Sequence, residues 1–197
     1  MNSKEFNSKL RLLKIKIIND ELNIKFNRDR YLNIQKKLKL LGEEIEDYIL
    51  TGSAVLYMIG WLDRLPNDYD IILSSDMVGK YSDIMELADD KYRGFDEIDD
   101  NRIGTIDMAL EIDRKLDFFS KIFSPPSTRK GYEHFTLDVF ENDIEPYYTI
   151  EVDNNIIKID DPLSILSHKR NMYTQKNLND IYHVFNKLLD TKKPNTL

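Results

Sequence analysis

One strand–helix–strand pattern constrains the fold of this chain more than any other feature. Residues 48–50 are apolar and predict a buried strand, and Ser53 is well placed to cap a short apolar helix over residues 54–62. Pro66 then marks a turn before a second predicted strand, residues 69–73. The pattern predicts a short helix that connects two strands of one sheet.

Two carboxylates stand at the start of the second strand, in the string Asp68-Tyr69-Asp70. Because side chains alternate across a strand, Asp68 and Asp70 point to the same side. Two adjacent carboxylates repel each other unless a cation lies between them, and Mg²⁺ or Mn²⁺ with oxygen ligands meets that need. The spacing therefore predicts a metal site made by Asp68 and Asp70.

The turn after the first predicted strand contains residues that are typical of phosphate-binding turns. Gly52 allows close approach of the backbone to a ligand. Ser53 adds a hydroxyl at the predicted start of a helix, where free N–H groups favour an anion. Gly52 and Ser53 are therefore our candidates for nucleotide binding.

This combination resembles the nucleotidyltransferase superfamily typified by DNA polymerase beta. The signature of that superfamily is a hydrophobic residue, Gly, Gly or Ser, a spacer, and then Asp, a hydrophobic residue and Asp or Glu; Gly52-Ser53 and Asp68-Tyr69-Asp70 match it. In pattern the chain is closest to the AbiEii-type nucleotidyltransferase toxins. Arg64 and Lys169 carry that further resemblance, which implies that both lie near the nucleotide.

The resemblance also implies a third carboxylate on a later strand, which activates the attacking hydroxyl. Asp117 has the alternating apolar flank expected of such a residue and is the first choice for the catalytic and metal-binding set with Asp68 and Asp70. Asp107 fits a strand equally well, and Asp113 ranks third because it lies in an apparent turn.

The resemblance and the hydrophobic periodicity together predict an α+β fold, in which a mixed-sheet nucleotidyltransferase core is flanked by helices. The predicted parts are an N-terminal helical arm (1–42), the core (43–160) and a C-terminal helical region packed on the core (161–197). Helices are predicted over residues 4–18, 30–41, 54–62, 79–91, 162–173 and 177–189. Two hairpins are predicted, residues 105–112 with 115–119 and residues 147–152 with 156–159.

Charge is distributed unevenly along the chain of 197 residues, whose formal net charge is −7. Residues 1–42 hold 11 basic and 4 acidic side chains, residues 43–162 hold 11 and 29, and residues 163–197 hold 6 and 2. Basic ends beside an acidic centre suit a protein that grips an anionic polymer near its metal ions. The alternative is that the basic residues form solvated helix faces.

Composition excludes several kinds of chemistry. The chain contains no cysteine, which rules out disulfides, thiolate catalysis and cysteine-bound zinc, and its three histidines have no close metal-ligand spacing. The sequence has neither an apolar run long enough for a membrane span nor a signal-peptide core. We therefore expect a cytoplasmic protein without a membrane partner.

The function that follows is transfer of a nucleoside monophosphate from an NTP, with Mg²⁺ or Mn²⁺, to a hydroxyl of a tRNA-like RNA or of a partner protein. A toxin or a mobile-element enzyme would fit, with a cognate antitoxin or an assembly protein as partner. Pro66 and His183 depart from the toxin pattern, so two alternatives stay open. One is a non-catalytic structural or accessory protein with this fold, for example of a phage particle, and the other is a nucleotide sensor.

Overall fold

The computed structural model of the protein describes residues 1–22, 24, 26–39, 48–74, 90–94, 102–111, 132–140, 146, 148–152 and 155–189. The helices in these ranges are α1 (Ser3–Ile18), α2 (Arg28–Leu38), α3 (Gly52–Met58), α4 (Pro162–Asn171) and α5 (Gln175–Leu189). The strands are β1 (Ile49–Thr51), β2 (Asp68–Ser74), β3 (Asp90–Gly94), β4 (Arg102–Glu111), β5 (Tyr132–Phe140), β6 (Tyr148–Val152) and β7 (Asn155–Ile159).

The described strands form one seven-stranded sheet in the order β3-β4-β5-β2-β1-β7-β6. The pairs β2–β5 and β1–β7 are parallel, and the other neighbouring pairs are antiparallel. The predicted α+β class with a mixed sheet and flanking helices is therefore confirmed. Strand β2 lies at the centre of the order; Asp70 is paired on both sides, with Thr51 of β1 and Thr136 of β5, and Asp68 is paired with His134 of β5.

Strand β2 separates an apolar face from a polar one. Tyr69, Ile71 and Leu73 are buried in the core, whereas Asp68 and Asp70 lie on the opposite, half-buried face. The neighbouring strands follow the same alternation, so one face of the sheet packs against the hydrophobic core. Further core residues on this face are Leu50, Phe135, Leu137, Ile157 and Ile159.

Helices α1 and α2 contribute side chains to this same core. Each begins at an asparagine whose side chain accepts a backbone N–H bond, Asn2 for α1 and Asn27 for α2. Leu13 of α1 is fully buried, and Ile34 of α2 is nearly so. Residues 3–38 thus carry helices that are packed against the core.

Helices α4 and α5 also face the core. Asp161 caps α4 by accepting bonds from the backbone N–H groups of Leu163 and Ser164, and Pro162 occupies the first turn, where no N–H bond is lost. On α5, Ile181, Val184 and Phe185 are completely buried at helical spacing. This packing fixes the polar side chains of α4 and α5 beside the start of β2.

The structure corrects several local predictions. Strand β5 was not predicted at all. Both edges of β4 are paired over residues 105–109, with β3 on one side and β5 on the other, so the predicted hairpin with residues 115–119 does not form there. Residues 115–119 and most of the predicted helix 79–91 lie outside the described residues; Asp90 and Lys91 belong to β3. The hairpin β6–β7 is confirmed.

Within the described ranges, no helix combines the length and the apolar composition that crossing a membrane requires.

Candidate functional site

Asp70 and Gly52 meet where β1 passes into α3. In the sheet register Thr51 pairs with Asp70, which brings the carboxylate beside the next residue of the turn. A Cβ atom placed on Gly52 would lie only 1.9 Å from Oδ2 of Asp70, and Gly52 has a φ of +67°. Both the contact and the backbone conformation therefore require glycine at position 52. The sheet thus brings the Gly52 turn into contact with the Asp-x-Asp strand.

Asp70 is a strongly perturbed carboxyl group. Burial, together with the neighbouring charges of Asp68 and Asp138, raises its pKa to about 7 against the opposing charges of Lys169 and Lys176. The carboxyl therefore resists ionisation unless positive charge is brought to it. Such a pair of carboxylates fits a divalent cation, which would supply that charge.

Ser53 does not act as the cap that its position in the sequence suggested. Helix α3 starts at Gly52, two residues before the predicted start, and its N-cap is Thr51, which makes no capping bond through its side chain. Ser53 is only 2% exposed, and among the described residues its hydroxyl has no hydrogen-bond partner. A buried hydroxyl without a partner is uncommon and is expected to serve a ligand or a function.

Two lysines bring positive charge to the carboxylates. Lys176 Nζ of α5 lies 3.4 Å from Oδ1 of Asp68, and both side chains are about 40% exposed. Lys169 of α4, a predicted nucleotide ligand, is buried, and its charge acts on Asp70. The sequence analysis did not identify Lys176, although its place in the first turn of the last amphipathic helix was an available signal.

A buried carboxylate, Asp180, organises the basic residues of this region. Lys169 Nζ lies 3.1 Å from Oδ2 of Asp180. Arg64 donates to both oxygens of the same carboxylate, through Nε to Oδ1 at 2.8 Å and through Nη2 to Oδ2 at 2.5 Å. Burial opposes ionisation of Asp180, but the bonds from Arg64 and the charge of Lys169 outweigh it and lower its pKa. The predicted nucleotide ligands Arg64 and Lys169 are thus brought together by one shared anion.

The position of a third carboxylate is decided by the order of the strands. Asp138 lies on β5, next to β2, and the register Asp70↔Thr136 and Ile72↔Asp138 places it on the face of Asp68 and Asp70. Asp107, on β4, pairs with Thr136 and is therefore one strand farther away. Asp117 and Asp113 lie outside the described residues.

Sequence reasoning missed Asp138, although its signal was present. The string Leu137-Asp138-Val139 has the same apolar flanks that led us to Asp117. Nothing local to the string indicates that its strand lies beside β2. The charge of Asp138 is one of the influences that raise the pKa of Asp70.

A complete metal cage is not preformed among the described side chains, since no group of three or more His, Cys, Asp or Glu residues there converges on one point. Asp68 and Asp70 nevertheless fit Mg²⁺ or Mn²⁺. Mg²⁺ is commonly held by one or two carboxylates, with the remaining positions taken by water and by the phosphates of the substrate. These two residues are therefore the groups that could hold such an ion.

Comparison of the chain with protein-family models, with curated proteins and with solved structures finds no match.

Proposed function

We propose that this protein is a metal-dependent nucleotidyltransferase, which moves a nucleoside monophosphate from an NTP to an acceptor hydroxyl. The observation that carries the proposal is the contact between the Gly52 turn and the Asp70 carboxylate, at a position where no Cβ would fit. Catalysis of this transfer depends on positioning of the phosphates and on metal ions that neutralise their charge, and a phosphate-binding turn beside a carboxylate pair would supply both. The order of the motifs along the chain led us to expect that arrangement.

Each group has a role that follows from its surroundings. Asp68 and Asp70 would hold a divalent ion, which when bound would supply positive charge to the triphosphate and to the attacking oxygen. The unpartnered hydroxyl of Ser53 is available to donate to a phosphate oxygen. The ammonium group of Lys176, which contacts Asp68, is exposed enough to turn towards a phosphate. Lys169, held by Asp180, adds fixed positive charge.

In the reaction, the acceptor oxygen forms a bond to the α-phosphorus and the bond to the bridging oxygen breaks. Pyrophosphate leaves with the electron pair of that bond. The acceptor proton requires a base, and Asp138 is the carboxylate on the neighbouring strand that shares the face of Asp68 and Asp70. We assign this role to Asp138 and no longer prefer Asp117.

A label-transfer experiment tests the proposal. The protein is incubated with Mg²⁺, total RNA and each NTP labelled at the α-phosphate, in parallel with Asp68→Asn and Asp70→Asn. Transfer of label that is lost in both variants supports the enzyme. A matched control is Glu151→Gln, which removes an exposed carboxylate of β6 and should transfer normally.

Two outcomes would contradict the proposal. Binding of NTP without transfer to RNA or to protein would make the chain a nucleotide sensor. Neither binding nor transfer would favour the non-catalytic structural protein.

A further inference from the structure

A cleft of about 540 Å³ lies beside the carboxylate pair, between the segment that precedes β2 and helix α5. Its size is within the range of ligand sites, which spans roughly 300–1,000 Å³. The polar side chains that line it are Asp63, Arg64, Lys176, Asn179, Asp180 and His183. Gly52 and Ser53 are not part of this lining, so the cleft is separate from the turn to which we assign the donor phosphates.

The carboxylate of Asp63 at the cleft contacts three basic side chains. Lys187 Nζ lies 2.6 Å and Arg30 Nη2 lies 3.0 Å from its Oδ1, and His183 Nε2 lies 3.1 Å from its Oδ2. The hydrogen bond from Lys187, with that from Arg30, lowers the pKa of Asp63 to about 2. Asp63 therefore stays ionised at neutral pH. Its single negative charge is smaller than the combined positive charge of Lys187 and Arg30.

Asp180, the second carboxylate at the cleft, is likewise saturated, by Arg64 and by Lys169. Among the described residues, five Lys and Arg side chains surround the cleft or bond to its carboxylates, and three carboxylates pair with them, namely Asp63, Asp180 and Asp68, the partner of Lys176. The basic side chains are Arg30, Arg64, Lys169, Lys176 and Lys187. The cleft therefore has surplus positive charge that suits an anionic ligand.

Lys176 joins the cleft to the carboxylates. Its side chain lines the cleft, and its ammonium group contacts Asp68. A ligand in the cleft therefore ends next to the residues that we assign to the metal. Arg64, His183 and Lys187 each keep about a third or more of their side-chain surface exposed, which leaves them accessible to such a ligand.

We propose that this cleft binds the phosphodiester backbone of a single-stranded nucleic-acid acceptor and directs its terminal hydroxyl to Asp68 and Asp70. The inference rests on the proposed function and names the class of its acceptor. A polymer matches the site better than a single phosphate does, because positive charge extends along α5 from Lys176, which lines the cleft, to Lys187, three turns later, which bonds to Asp63 of the cleft. The proposal locates nucleic-acid binding at the cleft and not on the basic N-terminal helix α1, which packs on the core through Phe6 and Leu13.

The test measures binding of a fluorescent single-stranded RNA of about 12 nucleotides to the full chain by anisotropy, with EDTA and without NTP. Asn179→Glu adds a negative charge to the cleft wall without removing an ion pair. It should weaken RNA binding about fivefold, since each added charge acts on phosphates a few ångströms away. Lys176→Gln should make the plot of log K against log salt shallower by about 0.7, the loss of one phosphate contact.

Asn7→Glu is the matched control, because it makes the same change at an exposed position of α1. RNA affinity should stay unchanged in this variant. An equal loss in Asn7→Glu and Asn179→Glu would overturn the proposal, because the loss would then follow the net charge of the protein, and a loss confined to Asn7→Glu would overturn it by locating the RNA on the N-terminal helix.

Two further measurements separate the alternative ligands. Calorimetric titration with a nonhydrolysable NTP should give the same affinity for Asn179→Glu as for the wild type. A loss of affinity confined to the NTP would assign the cleft to the donor and overturn the proposal.

A poly-glutamate peptide should compete poorly with the RNA, and equal competition would overturn the proposal and indicate an acidic protein partner. Because neither binding assay involves turnover, failure of the label-transfer experiment is distinguishable from failure here.

Discussion

Replacement of Asp70 by asparagine should stabilise the metal-free protein, and the gain should grow as the pH rises. Burial and the neighbouring Asp68 raise the pKa of Asp70 from 3.8 to about 7 in the folded state. Between these two values the folded protein keeps a proton that the unfolded chain has released. The free energy of unfolding of the wild type therefore falls with rising pH, by about 1.4 kcal/mol per pH unit from this group.

The size of the effect follows from the width of that interval. Because the pKa of Asp70 is roughly three pH units higher in the folded state, the loss of unfolding free energy above pH 7 is at most about 4 kcal/mol. Relaxation of the site reduces this loss, so we expect Asp70→Asn to be more stable than the wild type by about 1–4 kcal/mol. Asparagine has nearly the same shape as aspartate and carries no charge at any pH. Near pH 4 the carboxyl of Asp70 is itself neutral, and the two proteins should be equally stable there.

Urea unfolding of both proteins near pH 4 and near pH 8, in EDTA, measures the difference. Comparison of the variant with the wild type removes the contributions of other groups, such as Asp160, whose pKa burial also raises. The control Glu151→Gln should shift neither curve, because Glu151 is exposed. Added Mg²⁺ should stabilise the wild type and leave Asp70→Asn unchanged. A gain that is absent near pH 8, or equal at both pH values, would refute the reasoning.

Three further predictions test other parts of the molecule. Ser53→Ala should lower NTP affinity in calorimetric titration and leave the urea midpoint unchanged or higher, because the buried hydroxyl has no partner to lose; unchanged affinity would refute its role as a phosphate ligand. Leu13→Ala should cost about 2–5 kcal/mol in urea unfolding, since Leu13 is fully buried, whereas Leu12→Ala on the exposed side of the same helix should cost little. Asp138→Asn should reduce label transfer by at least about 100-fold, and Asp107→Asn should not; the reverse order would contradict the assignment of the base.

The elements that could be predicted from the sequence are those whose signals are local. Helix α1 was predicted over residues 4–18 and runs from Ser3 to Ile18, since its apolar residues recur at helical spacing and Asn2 caps it. The hairpin β6–β7 was predicted because its two strands are separated only by a short turn-forming segment. Neither inference requires knowledge of the rest of the chain.

The start of α3 shows where local reasoning is not sufficient. Gly52 and Ser53 both suit a helix start, and the choice of Ser53 as the cap followed the usual preference of serine for that position. The close contact of Gly52 with Asp70, 18 residues later, fixes the left-handed backbone at Gly52 and starts the helix there. The hydroxyl of Ser53 is consequently buried and unbonded among the described residues, and it is free to serve a ligand.

The third carboxylate could not be located from the sequence because its position depends on a long-range strand pairing. Strings with an acid between apolar residues occur at Asp107, Asp117 and Asp138 alike. Neighbouring strands lie about 4.8 Å apart, and β1 and β5 are the described strands that flank β2 and lie within one strand spacing of Asp70. Because β5 is parallel to β2 and in register with it, Asp138 shares the face of Asp70, while Asp107 is removed by a second spacing. The carboxylate pair needed only the alternation within one strand, but its partner needed the order of the whole sheet.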